Sequence, residues 1–395
     1  MSNPISRPCP VCGEYQRRLV YRQRFLDGPL SNGYDVVVCS KCGAGFADGI
    51  VSQAEMDRYY AEQSKYAYDY AGGTESPWDF KRFEATVAQI APHLKSQDVR
   101  ILDIGCATGG LLSVFKRRGY QNVMGADPSP ACAMAAERLH GVKVRTATLS
   151  QLGNWKERFD LVLMLGVLEH LRETTEAVQF ASRLLDPGGL VYCAVPDVER
   201  FADCPNAPYQ QFSLEHVSFF SIRSLERLMA NCGMAAVDSW RWTVEWREGV
   251  MEPIASGLYD LRQPSAATFD ECTGPSLERY LAFSKEGDRR ILATIDSLRC
   301  GQDPILVWGA GTLTRRLLAT TRFAEANITA FVDSNPHLHG GQLANRPILS
   351  PEQIAGRKER VLICSVAFEK EIALAISDQH GAPNRIISLL GTDFP

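Results

Sequence analysis

Two Cys-x-x-Cys pairs open the chain, Cys9/Cys12 and Cys39/Cys42, each followed by a glycine, Gly13 or Gly43. A tight turn after each pair aims two thiolates at one ion, and four sulfurs in two pairs suit tetrahedral Zn²⁺. Such a site has no open coordination position. The expected role of the metal is therefore structural, holding together a segment too short to build its own core. The remaining eight of the 12 cysteines stand mostly alone in apolar or loop contexts and read as small buried hydrophobes. A second group is the stretch ILDIGCATGG (101–110), where a strand delivers Asp103 into a turn of small residues, Gly105, Ala107, Gly109 and Gly110. Small residues let a ligand approach the backbone at the start of a helix. Asp127 ends the next strand about 20 residues later, where a carboxylate can take the two hydroxyls of a ribose. Two Glu-His pairs form a third group, Glu169-His170 and Glu215-His216. A neutral imidazole at a pocket rim can remove a proton, and His216 with Glu215 beside it is the candidate base. For His170 a structural hydrogen bond is the simpler reading.

The ligand of the first glycine turn is decided by spacing. A dinucleotide fingerprint is Gly-x-Gly-x-x-Gly, so that pyrophosphate sits on bare helix amides. Here the glycines fall at 105, 109 and 110, and Asp103 precedes the turn. A carboxylate there repels phosphate and suits a positively charged aminoacid group with a sulfonium neighbour, which is S-adenosylmethionine. A second glycine turn, GAGTLT (309–314) with Asp333 after the following strand, comes closer to the dinucleotide pattern, with Thr314 in place of the third glycine.

Strands and helices alternate from residue 99: VRILDIG, GLLSVFKRRG, NVMGADPS, ACAMAAERLHG, VKVRTAT, FDLVLMLGVLEHL, TEAVQFASRLL and LVYCAVPD. Repeated βα units predict a doubly wound parallel sheet with ligands beyond the carboxyl ends of its strands. A second βα series starts at PILVWGAG near residue 304. The predicted fold class is α/β, a Rossmann-like core with an N-terminal zinc ribbon and a second, C-terminal Rossmann-like domain. The predicted boundaries are 1–50 for the ribbon, 51–98 for a helical, tyrosine-rich lid or linker, 99–240 for the core, 241–303 for a helical linker and 304–395 for the last domain.

With these elements in place, residues from about 80 to 240 resemble the class I S-adenosylmethionine-dependent methyltransferases. LDIGCATGG, GADPS, FDLVLMLGVLEHL, LLDPGG and the EHVSFFS segment with SLERLM carry the likeness. The resemblance implies that Asp103, Gly105, Cys106 and Gly109 contact the aminoacid end of the cofactor, and that Asp127 and Pro128 hold the adenosine. It places Thr148 and Leu149 near adenine, and Leu165 and Gly166 near the methionine. The layout of ribbon, core and second Rossmann-like domain resembles the sugar C-methyltransferases, which act on nucleotide-linked keto sugars. The implied substrate is a small, nucleotide-linked sugar. In that family tyrosines usually flank the Glu-His motif. Here Phe219 and Phe220 follow it and Tyr209 is the nearest replacement, so O- or N-methylation of a sugar is also allowed.

Composition bounds the alternatives. The 395 residues are 45% apolar and 22% charged, with a net charge of −4, an ordinary globular balance. One rival reading is an RNA methyltransferase whose ribbon and RRLVYRQR stretch grip nucleic acid. Residues 1–50 hold six basic and four acidic residues, and four thiolates with one Zn²⁺ cancel that excess, so nucleic acid is not the expected partner. The other rival is an NAD-dependent enzyme, or a scaffold without catalysis, using the C-terminal turn. The longest apolar run, Leu161 to Leu168, falls far short of the roughly 20 residues of a membrane span. The first ten residues lack a secretory pattern, so the expectation is a cytoplasmic monomer or homodimer.

Overall fold

The computed structural model describes residues 6–62, 75–149, 151, 155–204, 207–266, 268–380 and 386–390. Tyr66, Tyr68 and Tyr70, read from sequence as part of a lid, lie outside them. The chain starts with β1 (Arg17–Arg24), β2 (Gly33–Cys39) and β3 (Gly45–Asp48), an antiparallel meander. The β-branched run Val36–Val38 makes β2 its buried middle strand. Helix α1 (Gln53–Glu62) follows, and then α2 (Pro77–Ile90), which Ser76 starts by capping Asp79 N while the Asp79 carboxylate reaches back to Ser76 N.

The central sheet begins with β4 (Ile101–Ile104), α3 (Gly110–Arg117), β5 (Val123–Asp127), α4 (Pro130–His140) and β6 (Val144–Thr146). It continues with β7 (Phe159–Leu165), α5 (Thr174–Arg183) and β8 (Leu185–Pro196). After β9 (Ser218–Phe219) and α6 (Ile222–Asn231), the hairpin β10 (Ala235–Arg247) and β11 (Val250–Asp260) completes it. The strand order is β10-β11-β8-β7-β4-β5-β6, with β4 to β8 parallel. Leu161 to Met164 on β7 are fully buried, as a central parallel strand requires. The chain runs outward from β4 through β6 and then returns to β7. The two ends of that reversal, the turns after β4 and β7, therefore face each other across the crevice where α/β sheets take ligands. Residues 241–260 correct the expected helical linker. They belong to the hairpin, and β10 passes straight through the boundary expected at residue 240.

Helix α7 (Thr273–Gly301) leads to β12 (Ile305–Trp308), α8 (Thr312–Thr320), β13 (Ile328–Val332), β14 (Gln342–Leu343), β15 (Arg346–Leu349), β16 (Arg360–Ile363), α9 (Glu369–His380) and β17 (Ile386–Ser388). Their sheet has the order β14-β15-β13-β12-β16-β17 and, apart from the β14/β15 pair, is parallel. Helix α7 bridges two cores. Leu277, Tyr280 and Leu281 pack with the first meander, whereas Ile291 and Ile295 pack with the last sheet. The two β9 residues leave the central unit and pair with β3, so the meander's fourth strand is supplied from beyond residue 200.

Candidate functional site

The four cysteines at the N-terminus meet. Their sulfurs all lie within 4.8 Å of one another, with Cys9 and Cys42 at 3.6 Å and Cys12 and Cys39 at 3.5 Å. Zn–S bonds of about 2.3 Å in a tetrahedron put the sulfurs about 3.8 Å apart, so the donor set fits that ion. Both knuckles are built alike: Gly13 N donates to Cys9 O and Gly43 N to Cys39 O, at 2.9 and 3.0 Å. Each glycine has a positive φ, 74° and 82°. The second knuckle is also tied to the start of α7, where Asp270 N donates to Cys42 O at 2.9 Å.

The turn after β4 is held from the next strand. Ala107 N and Ser129 N both donate to the Asp127 carboxylate at 2.9 Å, and Gly105 N donates to Ala126 O at 2.7 Å. Burial pushes Asp127 up to about 6, and the two amides oppose the shift. Each of its oxygens keeps a lone pair for a hydroxyl. Asp103 is 3% exposed and its Oδ1 has no hydrogen-bond partner, while burial and then Asp127 push it well above the usual carboxylate range. A buried carboxyl with an unpartnered oxygen beside a glycine turn suits a cationic donor, which fits the aminoacid end of S-adenosylmethionine. Gly105 has φ +73°, and a Cβ there would stand 2.7 Å from Val167 Cγ2, so the turns after β4 and β7 press together. Gly109, at φ +80°, caps α3. Cys106 is buried against Gly125, and burial pushes its thiol well up. Pro128, Thr148, Leu149 and Leu165 are half-buried and Gly166 is exposed. The Thr148 amide is held by Gln151 at 2.9 Å.

On the far side of the β7 turn the two Glu-His pairs converge. Glu169, His170 and His216 bring ligand-type atoms within 4.8 Å of one another, and the imidazole rings stand 4.9 Å apart, edge to face. Tyr60 on α1 shares a 2.9 Å hydrogen bond with His170 Nδ1, and Tyr59 donates to Glu215 Oε1 at 3.1 Å. Glu169 is buried, and burial lifts its carboxyl to about 8. Ser213 Oγ accepts from the amides of Glu215 and His216, fixing the entry to that segment. Tyr209 sits elsewhere. It stacks on Tyr21 at 5.0 Å and lies under the Arg316 guanidinium at 4.6 Å. The tyrosines beside the Glu-His pairs are thus Tyr59 and Tyr60, more than 100 residues away in the chain. Sequence spacing carried no signal for them beyond the tyrosine richness of residues 51–98.

The second glycine turn repeats the first in miniature. Ala310 N donates to Asp333 Oδ2 at 2.7 Å, Asn335 N to Asp333 Oδ1 at 2.8 Å and Gly309 N to Val332 O at 2.7 Å.

Residues 77–239 match the family model described as a methyltransferase domain, and residues 301–387 match one described as C2185-like, N-terminal. Among curated proteins, the ubiquinone biosynthesis O-methyltransferase of Cereibacter sphaeroides is 39% identical over 111 residues, 27% of this chain and 44% of that protein. That of Agrobacterium fabrum is 38% identical over 107 residues, 26% of this chain and 42% of that protein. The chain thus spans less than half the length of these curated relatives. Among solved structures, magnesium protoporphyrin IX methyltransferase from Synechocystis with bound SAH gives a TM-score of 0.40 at 14% identity, covering 52% of this chain and 98% of that one. Geranyl diphosphate C-methyltransferase from Streptomyces coelicolor gives 0.38 at 17% identity, covering 53% and 97%.

Proposed function

We propose that this chain, whose residues 77–239 are a methyltransferase domain, moves the methyl group of S-adenosylmethionine to a small molecule, and that this acceptor is a nucleotide-linked sugar. The orphaned Asp103 carboxyl at the glycine turn carries the cofactor reading. S-adenosylmethionine bound there supplies an electrophilic methyl group. Asp103 receives its ammonium, Asp127 receives the ribose hydroxyls, and Leu165 and Gly166 wall the methionine. His216 takes the proton from the acceptor atom as that atom becomes nucleophilic. Glu215, fixed by Tyr59, and His170, fixed by Tyr60, hold the imidazole in place. Orientation of two bound reactants supplies most of the acceleration, and the base adds roughly 10²- to 10⁴-fold. Zn²⁺ at the four cysteines is structural. The nucleotide-linked sugar is supported by the likeness of the three-part layout to the sugar C-methyltransferases, with the sheet of residues 305–388 as the docking platform for the nucleotide.

A second reading, O-methylation of a phenolic small molecule, is favoured by the ubiquinone biosynthesis O-methyltransferases that the core matches. One assay separates the two. With methyl-labelled cofactor and zinc-loaded protein, label passes to a nucleotide-linked keto sugar and not to a catechol under the first reading, and the reverse under the second. Calorimetry comes first. Heat with S-adenosylmethionine or its demethylated product is expected, and heat only with a nicotinamide dinucleotide overturns both. In the His216→Ala variant, turnover falls by about 10²-fold or more while cofactor affinity stays. Full turnover removes His216 from the base role.

A further inference from the structure

The side chain of Arg7, two residues before the first metal knuckle, is buried deep in the junction between meander and core. It is 2% exposed, and its guanidinium donates to Ala47 O at 3.0 Å, Arg172 O at 2.8 Å, Val217 O and Ser218 Oγ at 3.2 Å. Its own amide donates to Asp48 Oδ1 at 3.0 Å, and the Phe46 ring lies under its guanidinium at 5.4 Å. These acceptors are not a random set. Val217 follows His216 directly, and Arg172 lies two residues after His170. Val217 is itself a node: its N–H donates to Glu169 O at 2.8 Å, and its carbonyl takes Ala47 N at 2.9 Å as well as Arg7. One planar fork thus grips the backbone just past each histidine and ties both to β3.

The surrounding bonds reinforce the same junction. Arg172 donates to Ile50 O and Val51 O, both at 3.2 Å, and its amide donates to Gln53 Oε1 on α1 at 2.8 Å. Thr174 and Thr175 hold Pro10 O, inside the knuckle, at 2.7 and 3.1 Å, and Asn231 holds Val11 O at 2.6 Å. A meander serving only to stabilise the N-terminus needs none of these bonds to the histidine segments. A buried guanidinium is costly unless its donors are satisfied, and here they are spent on the two loops that carry the imidazoles.

We propose that Arg7 is a positioning residue, through which the four-cysteine meander sets the separation and orientation of His170 and His216. This rests on the reading of His216 as the base. Lysine keeps the charge but loses the planar fork, so it cannot bridge the carbonyls of residues 172 and 217 together. In zinc-loaded protein, Arg7→Lys is expected to keep its zinc content, and its dissociation constant for S-adenosylmethionine stays within about twofold. Its kcat falls about 10- to 100-fold, the scale of a misplacement near 1 Å, with little change in KM. The imidazole carbon-bound proton signals of His170 and His216 shift, and the contact between the two rings weakens. Ser218→Ala, which removes one acceptor and little volume, moves the same signals less and in the same direction, so the test survives if Arg7→Lys does not fold. Unmoved imidazole signals in either folded variant, or wild-type kcat in Arg7→Lys, overturn the proposal. The imidazole readout needs no substrate. If His216→Ala keeps full turnover while Arg7→Lys still displaces both rings, the base assignment falls and the positioning stands.

Discussion

At the scale of single residues, the site is a set of carboxyls kept out of water, and that has a thermodynamic signature. Glu169 ionises near 8 in the folded chain against an ordinary 4.5, because burial disfavours its charged form. The folded state therefore binds more protons than the unfolded chain between those values, so stability is greatest below 4.5 and is lost as pH rises through 8. Asp103 and Asp127 are raised as well and add the same sign. Glu169→Gln removes one contribution. Its stability is expected to decline less than that of the wild type between pH 4.5 and 8, with a difference of at most about 5 kcal/mol by pH 9. Melting curves across that range check it, and parallel curves for the two proteins refute it. The sequence made much of this site legible, since Asp103, the glycines and Asp127 are close in the chain and their order encodes the turn. It did not make legible the pairing of Tyr60 with His170 or of Tyr59 with Glu215. Those contacts exist only because α1 is laid across the core, and no local pattern in residues 53–62 records where that helix lands.

At the scale of elements, the two metal knuckles have the same sequence logic and different surroundings. Gly13 and Gly43 both adopt the left-handed region, yet a Cβ on Gly13 meets nothing within 4 Å while one on Gly43 would lie 2.0 Å from the Asp270 carbonyl. Gly13→Ala is expected to cost about 1 kcal/mol, the ordinary backbone penalty. Gly43→Ala must also push Asp270 away. That residue accepts hydrogen bonds from the Ser221 and Thr273 hydroxyls at 2.6 Å and from the amides of Cys272 and Thr273 at the start of α7, so the added cost is at least about 2 kcal/mol. Zinc retention against a chelator and urea midpoints measure both, and equal losses in the two variants refute the argument. The hairpin β10/β11 shows the opposite limit of sequence reading. WRWTVEW alternates in side-chain character, and Trp240, Trp242 and Val244 pack on the core beside Tyr192 of β8, but its backbone joins the sheet at the edge, through β11, which pairs with β8. An edge hairpin joined late to a parallel sheet leaves no βα rhythm in the sequence, so the linker expected over 241–303 takes in residues that belong to the hairpin.

At the scale of the whole molecule, a buried ion pair set among aromatic rings helps to fasten the last sheet to the rest. Arg316 on α8 is 2% exposed and makes two bonds to the Asp288 carboxylate on α7, at 2.8 and 2.7 Å, while its guanidinium covers Tyr209, which in turn stacks on Tyr21 of β1. Arg315 beside it reaches Leu26 O and Asp27 O just beyond β1. Two adjacent arginines thus join the first strand, the long helix and the third sheet, which gives Tyr209 a structural place at that junction. A buried pair of this kind adds little over an apolar replacement, but removing one partner leaves an uncompensated charge. Asp288→Asn is therefore expected to lose about 3–5 kcal/mol at this junction, and Asp288→Leu combined with Arg316→Met to recover most of it. The unfolding need not be two-state in a chain with three sheets, so the quantity to follow is the urea midpoint of protection from proteolysis within residues 302–380. Affinity for S-adenosylmethionine should stay unchanged in both, because the glycine turn after β4 is built by β5 and not by α8. If the double variant is as weak as Asp288→Asn, the pair is needed for its charge and not only for filling the space between β1 and the third sheet.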